Sequence, residues 1–159
     1  MINNELKYIP NHSCNEVYSL IDIVDDNGFM ISKSLYDTRR KNMSNIQTYE
    51  YKYPCVYSIN TKNIISKKWS NCNDIGHFNV TMFIFSNGNG SFQEDINREY
   101  GLTQWAYSIK CNKEDMNNVE KAFNSNEFNN IIYAIKLTSN KYNYNVMKLF
   151  KKDFWRDFI

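Results

Sequence analysis

The sequence predicts an α+β domain, with a mixed or antiparallel sheet in the middle of the chain, three C-terminal amphipathic helices and a short N-terminal helix. Three observations carry that expectation. Between residues 29 and 110 the apolar residues recur mainly with the period of two that strands impose. After residue 112 the period becomes that of a helix. No internal repeat or long linker divides the 159 residues, and 42% of them are apolar, enough for a core; the chain is therefore read as one domain over 1–159.

The elements follow in order. Ser13 and Glu16 have the spacing of a capping box, and Val17, Leu20, Ile21 and Val24 follow at helical spacing; Gly28 is the expected stop. Phe29, Ile31 and Lys33 alternate with Met30, Ser32 and Ser34, a strand that runs into a loop at Tyr36 and Asp37. Pro54 opens a second strand, where a missing N–H is tolerated. Asn60 to Asn63 then turn the chain into "IISKKW", making a hairpin.

The run "HFNVTMFIFS" is apolar on both parities, as a central strand covered on both faces would be. Asn87-Gly88 and Asn89-Gly90 supply a turn, and "SFQEDINREYG" continues as an irregular or edge strand. In "EYGLTQWAYSIKCN", Trp105, Tyr107 and Ile109 share one parity and are expected in the core. Gln104, Ala106, Ser108 and Lys110 fall on the other parity, facing water or a ligand. Asn112, Ser125 and Asn143 are the expected caps of three helices. Their apolar faces are Met116/Val119/Ala122/Phe123, Phe128/Ile131/Ile132/Ile135 and Val146/Met147/Phe150/Phe154.

Charge and motifs narrow the chemistry. The net charge is +2, from 19 basic and 17 acidic side chains, so any nucleic-acid footprint has to be local. No apolar run approaches a membrane span, and "MINNELKYIP" has neither the basic start nor the apolar stretch of a signal peptide. An intracellular protein with no membrane partner is expected. Cys14, Cys55, Cys72 and Cys111 lack paired metal-ligand spacing, which points to reduced, partly buried thiols and no metal site.

The phosphate loop G-x-x-x-x-G-K-[ST], the dinucleotide fingerprint G-x-G-x-x-G and the nucleophile elbow G-x-S-x-G are all missing. Glu94, Asp95 and Glu99 are acidic enough to hold Mg²⁺ in a small nuclease, although exposed acidic turns are common. Arg39-Arg40-Lys41 is the densest basic cluster, either a solvated loop or a set of phosphate contacts. Lys110 and Lys141 are further candidate contacts of that kind.

A more specific signal lies in the order of several segments: "YDTRRKNMS", "YKYPCVYSI", "WSN", "GHF", "FSNGNGSF", "YGLTQWAYSI", "KAFNSNEF" and "NKYNYNVMKLFKKDFW". This series resembles the C-terminal target-recognition region of adenine-specific DNA methyltransferases and of restriction-modification-like proteins of large DNA viruses. The resemblance covers about residues 35–159, and "YGLTQWAYSI" and "LFKKDFW" are its most specific pieces. In that family the S-adenosylmethionine site belongs to a separate upstream domain with a glycine-bearing motif and an Asn/Asp-Pro-Pro-aromatic motif. Neither motif is present here, since the two prolines, Pro10 and Pro54, are far apart.

The chain also departs from the family pattern in reading "GHFNVTMF" where a Gly and a Lys usually follow, and "EDINREYG" before its Tyr-Gly. The resemblance thus implies a sequence-specific DNA-binding module without its catalytic half. It would carry no cofactor of its own, with S-adenosylmethionine confined to a missing domain or partner. Its partners would be double-stranded DNA and a separate methyltransferase or nuclease subunit, and its place the cytoplasm or nucleus of an infected host if the chain is viral. Arg39, Arg40, Lys41, Lys110 and Lys141 would meet the backbone, and His77, Asn87 and Gln104 would lie near base edges. The rival readings are a viral protein-interaction module that has lost DNA, and the small metal-dependent nuclease. A basic surface joining the loop to Lys110 favours the first reading, an exposed apolar patch the second, and carboxylates converging on Asp95 the third.

Overall fold

The computed structural model describes residues 10, 12–22, 26–75, 77–86, 91–136 and 143–159. The chain builds three layers, helices on one sheet and that sheet on a second. The elements are α1 (Cys14–Leu20), β1 (Phe29–Ile31), β2 (Met43–Ser44), β3 (Tyr53–Ile59), β4 (Ile65–Ser70), β5 (Met82–Ser86), β6 (Phe92–Asp95), β7 (Gly101–Leu102), β8 (Ala106–Lys110), α2 (Met116–Asn124), α3 (Asn126–Ile135) and α4 (Tyr144–Met147). One sheet has the order β1-β8-β5-β6, all antiparallel, and the other the order β2-β4-β3-β7, in which β3 and β7 run parallel. The α+β class read from the sequence is the observed one.

Period two explains how the layers stack. On β5, Phe83 and Phe85 join Phe29, Tyr107 and Ile109 in a large core against the helices, beside Val119, Phe128 and Trp155. Met82 and Ile84, of the opposite parity, join Ala106, Val56, Ile59 and Leu102 in a smaller core between the two sheets. Every residue of β5 is buried, as expected for a central strand covered on both faces.

The opening half of the chain departs from expectation. Ser13 adopts a left-handed conformation (φ 52°) and makes no side-chain cap, so the capping box does not form. Helix α1 ends at Leu20 because Ile21 turns extended and bridges to Phe150. Gly28 is no helix stop. Its φ of +85° leads the chain into β1, and a Cβ there would lie 2.8 Å from the backbone oxygen of Lys110. Asn27 ties the two ends together: its amide donates to the carbonyls of Met147 (2.9 Å) and Phe150 (2.8 Å), and its side-chain oxygen accepts from Phe29 N–H.

The hairpin of β3 and β4 forms as the sequence indicates, with Asn60 Oδ1 accepting from the Lys62 and Ile64 amides in the turn. Strand β5 starts at Met82, later than expected, since Phe78 lies in the preceding turn and packs with Tyr36 and Cys55. The turn expected at residues 87–90 lies outside the described residues.

Two corrections matter for function. Trp105 is not core: it sits in the turn before β8, closed by Ala106 N–H on Thr103 O, and is 42% exposed. Ala106 and Ser108, expected to face outward, are fully buried because the second sheet covers that face. The Ser108 hydroxyl finds no partner among the described residues.

In the C-terminal third Ser125 caps α3 by accepting from Phe128 N–H at 3.2 Å. Asn143 accepts from Val146 N–H, but α4 is a single turn. Phe150 and Phe154 reach the core from the segment that follows, Phe154 from a 3₁₀ turn over Phe154–Phe158. Asn112 precedes a 3₁₀ turn and makes no side-chain cap.

Candidate nucleic-acid interface

The basic cluster lies on a loop between a 3₁₀ turn, Ser34–Tyr36, and β2. Tyr36 anchors the start of this loop. It is fully buried and stacks on the His77 ring, with centroids 4.0 Å apart and planes 4° from parallel. Asp37 follows and takes Arg39 in a two-point pair, Nε to Oδ1 at 2.9 Å and a terminal nitrogen to Oδ2 at 2.7 Å. The hydrogen bonds from Arg39 hold the Asp37 carboxyl well below the usual carboxylate range.

Further bonds hold the loop in place. Gln104 Oε1 accepts from Thr38 N–H at 3.1 Å, and its amide donates to the Thr38 hydroxyl at 2.8 Å. Asn42 donates to Leu35 O, and the Tyr51 hydroxyl donates to Lys41 O. Thus fixed, Arg39, Arg40 and Lys41 line an open cavity of about 510 Å³ with Ser34, Leu35 and Asn42, and no carboxylate belongs to that lining. Arg39 is matched by Asp37, whereas Arg40 and Lys41 form no ion pair with the described residues. The loop therefore presents three exposed cations against one carboxylate, Asp37, which pairs with Arg39 and also feels the charge of Arg40.

The other predicted site residues do not gather there as base readers. His77 is 1% exposed, and its Nε2 accepts from Leu102 N–H at 2.7 Å. Burial pushes its pKa down to about 4, so the ring is neutral at pH 7. Gly101 is required beside it, because a Cβ would come within 2.6 Å of the Phe78 ring and 2.9 Å of His77 Cδ2. His77 is a packing and hydrogen-bonding residue of the fold, out of reach of a base edge. Gln104 is half-buried, and both ends of its amide are bonded to Thr38, so it positions the loop.

Lys110 closes β8 at the end away from Gln104, ~20 Å along the extended chain. It sits with Asp26 at 3.6 Å in a separate cleft that also holds Arg98, Lys152 and Arg156. Asn87 and Lys141 lie outside the described residues. The residues that composition and spacing did not signal are Asp37 and Thr38. The Asp-x-Arg spacing of residues 37 and 39 is the one feature that hinted at the first of them.

The rival chemistries gain no support from geometry. Asp95 is buried and accepts from the Glu99 and Tyr100 amides, both at 2.9 Å, while Glu94 and Glu99 are exposed. Among the described residues no group of three or more His, Cys, Asp or Glu converges as a metal site requires. All four cysteines are free thiols; burial pushes those of Cys55 and Cys111 up to about 12, which leaves them un-ionised and poor nucleophiles. No helix among the described residues is long and apolar enough to cross a membrane.

Comparison with protein-family models, with curated proteins and with solved structures finds no match to this chain.

Proposed function

We propose that this chain is a DNA-binding module whose backbone-contacting surface is the loop of residues 37–42. The single observation that carries the reading is the cavity lined by Arg39, Arg40 and Lys41, of which only Arg39 is ion-paired among the described residues, on a loop braced by Gln104 and Tyr51. Phosphate contact needs cations that are not already neutralised and whose position is set in advance. The resemblance to target-recognition regions supplies the context: recognition without catalysis, beside a separate methyltransferase or nuclease subunit. Sequence discrimination, in this reading, comes from residues other than His77 and Gln104, whose polar atoms serve the fold.

The test is fluorescence anisotropy on labelled duplex DNA over a range of salt. Replacing Arg39, Arg40 and Lys41 together by Ala weakens binding to all duplex sequences alike. The log–log salt slope flattens by about one unit for each phosphate that the variant no longer neutralises. A folded triple variant with unchanged affinity and slope removes the loop from the interface.

A second reading, a protein-interaction module, is favoured by one observation. Leu35, Ile46, Tyr49 and Trp105 are 43%, 72%, 96% and 42% exposed; Leu35 precedes the loop, Ile46 and Tyr49 follow β2, and Trp105 follows Gln104. Failure of every duplex and of single-stranded DNA in the anisotropy assay moves the balance to that reading.

A further inference from the structure

We infer that Trp105 is a stacking surface for an unpaired nucleobase beside the cationic loop, so that this site takes single-stranded or locally opened nucleic acid. The inference rests on the reading of residues 37–42 as a phosphate-contacting surface.

The position of the ring is the first reason. Gln104 is clamped to Thr38 through both ends of its amide, so its neighbour Trp105 is placed next to the loop that carries Arg39. The backbone beneath the ring is fixed as well. Trp105 N–H donates to Thr103 Oγ1 at 3.3 Å, and Thr103, fully buried, donates through both its amide (3.1 Å) and its hydroxyl (2.9 Å) to Val56 O. The backbone that carries the indole is therefore already ordered and adds little ordering cost when something stacks on the ring.

Exposure and charge are the second reason. Trp155 is 1% exposed, whereas Trp105 presents 42% of its surface to solvent in a turn whose following residue, Ala106, is fully buried. The loop to which Gln104 is bonded carries three cations, Arg39, Arg40 and Lys41, against the single carboxylate of Asp37, and this excess of positive charge favours an anionic occupant. A ligand that offers a flat ring and a phosphate in each repeating unit satisfies both features together. A base within a duplex has both faces covered by its neighbours, so the indole can stack only on a base that is unpaired or terminal.

The experiment compares a labelled twelve-nucleotide oligothymidylate with a mixed-sequence duplex of the same length, by anisotropy, on the full chain. Trp105→Ala weakens the oligothymidylate about tenfold, equivalent to about 1.4 kcal/mol, and changes duplex binding less than twofold. Trp105→Phe keeps most of the single-strand affinity, because a ring remains. Oligothymidylate also quenches the indole emission of the wild-type protein, and this quenching is lost in Trp105→Phe. Equal single-strand affinity in Trp105→Ala and wild type, an equal loss for both probes, or no binding of oligothymidylate by the wild type overturns the inference. So does a decaglutamate peptide that binds with the same dependence on Trp105. The loop reading fails separately: if replacing Arg39, Arg40 and Lys41 leaves both probes unaffected while Trp105→Ala still weakens oligothymidylate, the stacking surface stands and its cations lie elsewhere.

Discussion

At the scale of single residues, His77 shows how one side chain can look like a reader and be a strut. Its ring covers Tyr36, accepts the Leu102 amide and is closed off by Phe78, leaving 1% of its surface exposed. Burial lowers its folded pKa from 6.5 to about 4. Between those values the unfolded chain binds the proton and the native protein does not. The contribution of the neutral ring to stability is therefore complete above pH about 6.5 and is lost as the pH falls toward 4. Urea unfolding of wild type and His77→Gln at pH 7 and pH 4.5 measures this. The stability gap between the two proteins narrows by about 2 kcal/mol at the lower pH. A gap that does not change with pH shows that the ring is protonated or solvated in the native protein.

The elements divide by how local their causes are. Helix α3 is determined nearby: Ser125 supplies the cap, and Phe128, Ile131, Ile132 and Ile135 form its buried stripe. Ser125→Ala removes the acceptor for Phe128 N–H and lowers stability by about 1 kcal/mol, readable as a shift in the urea midpoint with an unchanged slope. A loss below a few tenths shows that the Ser125 hydroxyl leaves the helix end unsupported. Helix α1 is the opposite case. The residues of a capping box are present, but the backbone at Ser13 turns left-handed, and Ile21 is drawn into a bridge with Phe150, 129 positions along the chain. Strand β8 is intermediate. Its alternation was legible, but its first residue was not, since Thr103 and Ala106 close a turn that leaves Trp105 outside the strand.

At the scale of the whole molecule, β5 is the shared wall of both cores. Phe85 faces the helices and Ile84 the second sheet, both within 2% exposure. Because adjacent residues of one strand serve the two cores, the domain unfolds in a single transition. Far-ultraviolet circular dichroism and tryptophan emission should give coincident urea curves. Phe85→Ala and Ile84→Ala each move that common midpoint, at a cost of about 3–5 and about 2–5 kcal/mol respectively. Two separated transitions in either variant show that the sheets are independent units.

The sequence by itself determined the α+β class, the β3–β4 hairpin, the two-faced burial of β5 and the cap of α3, because each depends on periodicity or on hydrogen bonds between residues close in the chain. It also located the basic cluster, since three consecutive cations need no partner to be recognised. Only the tertiary structure decided which polar residues are available. His77 and Ser108 are buried by the packing around them, and Gln104 is bound to Thr38, 66 positions away. Trp105, whose parity pointed inward, is outside because a turn closes one residue later than alternation implies. Side-chain alternation says that two residues face opposite ways; what covers each face is set by contacts between segments far apart in the chain, and no local pattern records them.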